Sequence, residues 1–424
     1  METLRFGSTG NNVTLLQLAL ARAGYYKFKI DGIFGTRTLN AVRRFQSSNG
    51  LAPDGIAGPN TWDKAEKYLY GFFTLRLRPG DTFFRLAKRY GTTADAIAAA
   101  NPGMDPSNLP VGGEIIVPYG FPVTPTDVPW SSDLLEYVVR GLTVRYPFIQ
   151  LETIGQTPLL KPIRVLRMGN GRREVFINAA HHANEWITSP LVTDYLESFA
   201  SAYVNNRPFE GQSAASLFAS VTLYVAPMVN PDGVDLVNGA VSREAENAAR
   251  RIADDYPEIS FPSGWKANIR GVDPNLSYPA GWDEAKAIKF EQGFTTPAPR
   301  DFVGDAPLAA PESRAVCDFT RTRDFAVTVS YHTQGEEIYY KYLDKVPEGA
   351  EELAKKMAEV SGYAAADVPF RSGFAGYKDW FIQDYDRPGF TVEAGRGVNP
   401  LPLSQYPRIR EENFPLMTVA LSDV

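Results

Sequence analysis

Histidine is scarce in this chain of 424 residues, and its positions point to one kind of chemistry. Of the three histidines, His182 lies three residues before Glu185 and directly after an apolar run, while His332 ends a second β-rich run. A His-x-x-Glu turn with one distant histidine can supply the three protein ligands of a catalytic zinc and leave a fourth position for water. The motif alone is weak, because a polar surface turn would show the same letters. Both interpretations stay open on these residues alone.

The elements that must position these side chains alternate between β-rich and helical stretches. Short apolar runs rich in β-branched residues predict strands at 164–166, 175–177, 223–225 and 326–330. Longer amphipathic patterns predict helices at 191–199 and 353–360. Residues 131–424 are therefore expected to form an α/β domain with a mixed, largely buried sheet. Cys317 falls in a helical pattern and is expected to be a packed side chain.

Residues 1–70 contain a short internal repeat. Two Asp-Gly-Ile-x-Gly turns, at 31–35 and 54–58, each precede a helix start that contains threonine, and apolar residues recur between them at helical spacing. These features predict a small all-α bundle. With Leu16-Gln17, Phe45-Gln46 and the two turns, the block resembles the peptidoglycan-binding domain. A helical spacer without a ligand is the alternative, since a fold does not guarantee binding.

Residues 71–120 predict strand, helix, helix and strand, with Thr82 as a helix N-cap. The block resembles the LysM module, and the resemblance implies binding of glycans that contain N-acetylglucosamine along the groove between two loops. The glycan-binding candidates are Gly80, Asp81, Thr82, Asn101 and Leu109. Residues 121–130 carry three prolines, which favours an extended, semi-rigid linker.

Composition excludes some partners. A formal net charge of −6 makes nucleic acid a poor candidate, and no apolar stretch is long enough to insert into a membrane. The first residues lack the basic and apolar regions of a signal peptide. The resemblance of the two N-terminal blocks to cell-wall modules implies a bacterial protein, and we expect it to be cytoplasmic or associated with the spore or the cell wall.

The last block, residues 131–424, contains five motifs in the order of the zinc carboxypeptidase family M14, and it resembles that family along its whole length. They are His182 to Glu185, the Asn-Pro-Asp-Gly turn at 230–233, the segment 265–275, the Tyr-His-Thr triplet at 331–333 and the strand that ends at Glu393. The resemblance implies one zinc ion per chain, held by His182, Glu185 and His332. It implies that Asp273 orients the first histidine, Arg270 polarises the scissile carbonyl and Glu393 is the general base. His181 has no counterpart and is expected to lie packed or exposed beside the site.

One departure from the family concerns the carboxylate of the substrate. Carboxypeptidases read the terminal carboxylate with an Asn-Arg pair, but here Asn275 is followed by Leu276. Arg371 and Lys378 fall where relatives carry a mobile tyrosine and the base of the side-chain pocket. The added charge suits a leaving residue with an extra carboxylate, or the carboxylate of a neighbouring D-amino acid. Pairing of Arg371 or Lys378 with Asp379 or Asp384 is the alternative, and it stays open.

The module order and the motif at 331–336 resemble the γ-D-glutamyl-diamino acid endopeptidases. This resemblance implies hydrolysis of peptidoglycan stem peptides between D-glutamate and meso-diaminopimelate or lysine, with glycan strands and stem peptides as partners. Two alternatives remain: a metallocarboxypeptidase that acts on ordinary peptide C-termini, and a cell-wall adaptor without activity.

Overall fold

The computed structural model describes residues 2–422, which fall into two compact units. The N-terminal unit comprises Met1–Ile149 with Ala200–Asn205, and the C-terminal unit comprises Gln150–Phe199 with Asn206–Val424. No helix among the described residues combines the length and the apolar character needed to cross a membrane.

The N-terminal unit begins with a bundle of three helices, α1 (Asn11–Arg22), α2 (Thr36–Ser48) and α3 (Pro59–Tyr70). Two buried glutamines explain why the Asp-Gly turn motif occurs twice in the sequence. Gln17 Nε2 donates to Asp31 Oδ1 at 2.8 Å and to Thr38 Oγ1 at 3.0 Å. Gln46 Nε2 donates to Asp54 Oδ1 at 2.8 Å and to the hydroxyl of the matching threonine, Thr61, at 3.1 Å. Each Asp-Gly turn is thus fixed by a helix glutamine that satisfies buried polar groups.

The second module of this unit has the predicted βααβ order. Strand β1 (Phe72–Arg76) pairs antiparallel with β2 (Glu114–Pro118), and the helices α4 (Phe83–Tyr90) and α5 (Ala94–Ala100) lie between them in the chain. The Thr82 hydroxyl accepts a hydrogen bond from the Arg85 amide at 3.1 Å, so the predicted N-cap is confirmed.

The proline-rich segment 121–130 is packed rather than exposed. Trp130 is fully buried, and its Nε1 donates to the Pro125 carbonyl at 2.8 Å. The following helix, α6 (Ser132–Arg145), crosses α3 closely, because a Cβ on Gly141 would lie 2.3 Å from the Tyr70 carbonyl oxygen. The N-terminal unit continues through α6 to Ile149, and apolar side chains of the segment, among them Val123 and Trp130, are buried. The domain boundaries drawn from the sequence at 70, 120 and 130 stay predictions.

The C-terminal unit is built around a mixed sheet of eight strands, in the order β11-β10-β12-β9-β5-β8-β4-β3. Its strands, together with the short pair β6 and β7, are β3 (Gln150–Gln156), β4 (Pro162–Gly169), β5 (Arg173–Ala179), β6 (Pro208–Phe209), β7 (Gln212–Ser213), β8 (Val221–Ala226), β9 (Phe325–His332), β10 (Glu337–Tyr339), β11 (Ala364–Ala366) and β12 (Gly389–Glu393). The remaining helices of the chain are α7 (Thr188–Val204), α8 (Ala214–Ser220), α9 (Pro231–Val237), α10 (Arg243–Ala253), α11 (Trp282–Glu291), α12 (Pro311–Arg321), α13 (Ala350–Ser361), α14 (Tyr377–Tyr385) and α15 (Tyr406–Ser422).

The central strands β8, β5, β9 and β12 run parallel to their neighbours in this group, and most of their residues are buried. Helices cover such strands on both faces, which explains why they read as nearly continuous apolar runs. An aromatic core that includes Phe176, Phe319 and Tyr377 packs on the sheet, and Cys317 is buried within it, as predicted. Because β5, β9 and β12 are adjacent and parallel, their carboxyl ends meet at one edge of the sheet.

Candidate metal centre and active site

The predicted metal ligands come together at this edge. His182 follows β5, Glu185 lies in the 3-10 turn Ala183–Glu185, and His332 is the last residue of β9. The ligand atoms of these three residues lie within 4.8 Å of one another. The two carboxylate oxygens of Glu185 each contact one imidazole: Oε1 is 3.0 Å from His182 Nδ1, and Oε2 is 2.9 Å from His332 Nδ1.

The geometry of these donors fits a cation. The two Nδ1 atoms face each other at 3.2 Å and both turn toward one buried carboxylate. Two imidazole nitrogens and a carboxylate form the donor set of a catalytic zinc, which leaves further positions for water or substrate. Zinc, the metal of the family that the sequence resembles, therefore suits the residues present.

Asp273 fixes the orientation of the first histidine. Its Oδ1 is 3.2 Å from His182 Nε2, so the Nδ1 atom of the same ring turns toward Glu185 and His332. The carboxylate also accepts hydrogen bonds from the Asn275 amide at 3.0 Å and the Asp301 amide at 3.2 Å. Burial would raise the pKa of Asp273, but the positive charge of His182 outweighs it and holds the pKa far below its usual range. Such a fixed acceptor selects one tautomer of a metal-binding histidine.

Glu393, which the sequence predicts as the general base, lies on the strand next to that of His332. It ends β12, where it stands in register with His332 on the neighbouring strand β9, and it lines the cavity in front of the metal ligands. Burial, together with the negative charge of Glu185, raises the pKa of Glu393 to about 8. A divalent cation nearby would favour the ionised form and move this pKa back toward neutrality.

The cavity in front of these residues has a volume of about 690 Å³, enough for several residues of a peptide. Asn275, Leu276 and Lys378 line it, as the sequence predicted for substrate-binding residues. Asn275 Oδ1 accepts a hydrogen bond from the Tyr377 amide at 3.1 Å, and its Nδ2 forms no hydrogen bond within residues 2–422. These three residues therefore belong to the wall of the site.

The two additional cations predicted for the pocket differ in position. Lys378 is buried, and its Nζ contacts Asp379 Oδ1 at 2.5 Å and the Lys341 carbonyl at 2.6 Å. Arg371 is 61% exposed in its side chain, pairs with Glu291 at 3.2 Å and is absent from the described cavity wall. The structure thus does not place Arg371 in the cavity wall, and Lys378 has the ion pair with Asp379 that the alternative interpretation predicted.

Arg270 does not reach the metal ligands, contrary to the expectation from the sequence. Its side chain is exposed, forms no hydrogen bond or ion pair with residues 2–422, and does not line the cavity that they form. The physical reason is a tight turn: Asn268 Oδ1 accepts hydrogen bonds from the amides of Arg270 and Val272, and Gly271 has a φ of +78°. This turn directs the residue at 270 away from the site.

Lys266, from the same segment, takes the position near the ligands. Its Nζ lies 2.8 Å from Glu185 Oε1, and the residue lines the cavity. Burial opposes its positive charge, but the charge of Glu185 outweighs burial and raises the pKa of Lys266. Sequence reasoning missed this residue because it sought an arginine, although the segment 265–275 offered two cations.

Arg300 and Asp301 are a second pair that sequence reasoning missed. Both line the cavity, and Arg300 Nε donates to Asp301 Oδ2 at 2.6 Å. They follow a loop without a regular apolar pattern, so no motif marked them. Of the two positions that the sequence left open for His181, packed or exposed, the structure shows the packed one: the residue is fully buried, and its Nε2 is 3.0 Å from the Tyr278 hydroxyl.

The glycan-binding candidates of the N-terminal unit have structural roles within their module. Thr82 caps α4, Asp81 Oδ2 accepts a hydrogen bond from the Arg78 amide at 2.8 Å, and Asn101 bonds the backbone of Ile116 in β2 through both side-chain ends. Gly80 adopts a φ of +81° in its turn, and Leu109 packs against the module core. These residues shape the two loops, and direct contact with a glycan stays a prediction.

Comparison with known protein families identifies all three parts of the chain. Residues 135–415 match the family of zinc carboxypeptidases, residues 9–64 match a peptidoglycan-binding domain, and residues 76–118 match the LysM domain. The first match covers more than half of the chain and includes every residue of the metal centre.

Curated relatives and solved structures agree with these assignments. A γ-D-glutamyl-L-diamino acid endopeptidase 1 of Lysinibacillus sphaericus is 40% identical over 284 residues, which are 67% of this chain and 70% of the relative. A spore cortex-lytic enzyme of Halalkalibacterium halodurans is 42% identical over 66 residues, 16% of this chain and 20% of that enzyme. The structure of bovine thrombin-activatable fibrinolysis inhibitor matches with a TM-score of 0.54 at 20% identity, covering 70% of this chain and 97% of that one, which shows a common fold.

The predicted fold, the zinc site and the cell-wall modules are thereby confirmed at the level of the family. Peptidoglycan is the binding partner that the two N-terminal modules indicate. From its metal centre and its match over residues 135–415, the chain belongs to the zinc carboxypeptidase family and is a zinc metallopeptidase with cell-wall-binding modules.

Proposed function

We propose that this protein hydrolyses peptidoglycan stem peptides at the bond between γ-linked D-glutamate and the diamino acid, meso-diaminopimelate or lysine. The relative from Lysinibacillus sphaericus, which aligns with two thirds of the chain, carries the name of this activity. The observation that carries the proposal is the wall of the cavity at Asn275 and Leu276. An apolar side chain stands where a carboxypeptidase needs a guanidinium, so an ordinary C-terminal carboxylate would lack its bidentate partner.

The residues of the site divide the chemistry between them. A zinc ion held by His182, Glu185 and His332 would supply a Lewis acid that activates water. Glu393 takes a proton from the attacking water and delivers it to the amine of the leaving diamino acid. The ammonium group of Lys266 lies beside the ligands and stabilises negative charge that develops on the carbonyl oxygen. We assign to Lys266 the role that the sequence predicted for Arg270.

The cavity has a charge pattern that suits a diamino acid as the leaving residue. Lys378 and Asp379 form a buried ion pair in its wall, so a cation and an anion are available at neighbouring positions. A diamino acid carries both an amine and a carboxylate, and it can meet both charges. An ordinary apolar C-terminal residue offers neither charge for this ion pair to contact, which disfavours it.

The N-terminal modules place the enzyme on its polymeric substrate. Two weak sites on one chain raise the effective concentration of the catalytic unit at the wall. The two modules, together with the likeness of 66 residues of the chain to a spore cortex-lytic enzyme, support association with the cell wall or the spore.

Mass spectrometry of purified muropeptides tests this function. Incubation with the zinc-loaded protein should produce one fragment that ends in D-glutamate and a second that begins with the diamino acid, and a chelator should abolish both. Release of single residues from ordinary α-linked peptides, with intact stem peptides, would instead identify a carboxypeptidase. Binding to peptidoglycan without any cleavage would identify an adaptor.

A further inference from the structure

Arg300 lies on a loop that is fixed to the metal centre through its backbone. The amides of Lys266 and Ala267 both donate to the Pro299 carbonyl, at 2.8 and 2.9 Å. On the other side, the Asp301 amide donates to Asp273 Oδ2 at 3.2 Å, and Asp273 orients the metal ligand His182. The position of Arg300 is therefore set by the same hydrogen bonds that order the catalytic residues.

The guanidinium of Arg300 is oriented by a buried pair of charges. Asp301 Oδ2 accepts a hydrogen bond from Arg300 Nε at 2.6 Å, and Asp301 Oδ1 contacts Lys289 Nζ, also at 2.6 Å. Lys289 thus occupies the second oxygen and keeps Asp301 in place. The carboxylate holds only the Nε edge of the guanidinium, which leaves the two terminal nitrogens for another partner.

These terminal Nη atoms form no hydrogen bond with any residue in the described part of the chain, 2–422. The side chain is 41% exposed and lines the cavity. A guanidinium presents its Nη donors in a planar fork that matches the two oxygens of a carboxylate. Arg300 is thus oriented in advance for an anionic group of the substrate.

The other cations in the described cavity wall already have acidic partners. Lys266 pairs with Glu185, Lys289 with Asp301 and Lys378 with Asp379, at distances of 2.8, 2.6 and 2.5 Å. Arg300 shares Asp301 with Lys289, so one carboxylate faces two cations there. The negative charges of Asp273 and Glu185 also act on Arg300. Among the cations that line the cavity, Arg300 keeps two terminal nitrogens that have no hydrogen-bond partner within residues 2–422.

We propose that Arg300 determines specificity by binding the free α-carboxylate of the γ-linked D-glutamate. This inference rests on the proposed function. A γ-linkage uses the side-chain carboxyl of glutamate for the scissile bond and leaves the α-carboxylate three carbons away from the scissile carbonyl. In an α-linked peptide an anion lies at a comparable position only where the residue on the acyl side is itself acidic. In the proposed function, the carboxylate and amine of the leaving diamino acid contact the Lys378–Asp379 pair, and Lys266 lies at the carbonyl of the scissile bond. The loop of Arg300 is hydrogen-bonded to the Lys266 segment, which places Arg300 on the acyl side, where the glutamate binds.

Two synthetic stems that differ in one group test the assignment. L-Ala-γ-D-Glu-L-Lys carries the α-carboxylate, and L-Ala-γ-D-isoglutamine-L-Lys carries an uncharged amide there. With the zinc-loaded full-length protein, kcat/KM should favour the carboxylate stem. Arg300→Gln should lower kcat/KM for that stem by about 10- to 100-fold and change it little for the amide stem, because only the charge-assisted contact is lost. Arg300→Lys should keep part of the preference.

Arg251→Gln is the matched control, because Arg251 is an exposed arginine of α10 that does not line the described cavity. It should keep the preference of the wild type. Equal kcat/KM of the wild type for both stems would overturn the assignment of Arg300, as would an equal loss on both stems in Arg300→Gln, which marks a structural role. A third stem with an amide in place of the lysine carboxylate gives one more check. If Arg300→Gln lowers kcat/KM only for stems that keep the lysine carboxylate, Arg300 binds that group instead, and the assignment is overturned. Failure of the wild type to cleave either stem would contradict the proposed function itself, and the assignment with it.

Discussion

Replacing Lys266 with methionine should lower kcat by about two orders of magnitude and leave the zinc content unchanged. Methionine keeps the length and volume of the aliphatic chain and removes the charge. Lys266 Nζ lies 2.8 Å from Glu185 Oε1, and its side chain is 19% exposed, so water screens the charge only in part. A bound zinc ion would compensate the charge of Glu185 in the variant, which is why metal binding should survive.

Two estimates of the loss agree. A unit charge about 4 Å from a developing oxyanion contributes about 4 kcal/mol at the effective dielectric constant of about 20 that applies near protein surfaces. Removal of one donor to an oxyanion in enzymes costs about 2.7 to 4 kcal/mol, or about 100- to 1000-fold in kcat. We therefore expect a loss of about 3 kcal/mol, which corresponds to about 150-fold.

The assay is steady-state hydrolysis of a soluble stem peptide, with zinc measured in the same samples by elemental analysis. Lys266→Arg should recover much of the rate, because it restores the charge. Arg270→Gln is the comparison that separates the two assignments, and it should stay within about threefold of the wild type, as is usual for an exposed side chain outside the cavity. A Lys266→Met enzyme with full zinc and near-normal kcat, or a loss of about 100-fold in Arg270→Gln, would refute the role of Lys266.

Four further changes test other parts of the structure. His332→Ala should lose stoichiometric zinc in elemental analysis, because two ligands rarely retain the metal. Glu393→Gln should keep zinc but lower kcat by about 100-fold or more in stem-peptide hydrolysis, and full turnover would mean that the base is misassigned. Phe84→Ser, which removes a ring that is 72% exposed on the LysM module, should weaken pull-down on insoluble peptidoglycan about threefold to tenfold, whereas Leu160→Ser at a 73% exposed site should not. Burial raises the pKa of Glu312 to about 7, so the folded protein keeps a proton that the unfolded chain loses near pH 4.5. Between pH 5 and 8 the free energy of unfolding of the wild type should therefore fall by about 2 to 3 kcal/mol relative to that of Glu312→Gln. The same pH dependence of unfolding in both proteins would contradict this.

The sequence by itself determined the modules and the metal ligands. Each module is local: the Asp-Gly turns and the glutamines that fix them lie within about 50 residues, so short patterns were enough to predict the bundle and the βααβ unit. The ligands could be predicted because histidine is so rare here that few combinations existed. Apolar runs predicted the strands β5 and β9. These strands are parallel neighbours in one sheet, so their carboxyl ends lie together, and this brings His182 close to His332.

Only the tertiary structure decided which charges face the cavity. Lys266 and Arg270 are four residues apart, and the turn at Asn268 and Gly271 sends one to Glu185 and the other to solvent. Arg300 reaches the cavity because its loop bonds to a segment more than 30 residues earlier in the chain, and Lys378 is neutralised by its neighbour Asp379. Side-chain direction and ion pairing depend on packing between distant segments, and a charged residue carries no periodic signal of its own. The metal centre could therefore be predicted from the sequence, whereas the positions of the charged side chains in the cavity depend on the tertiary structure.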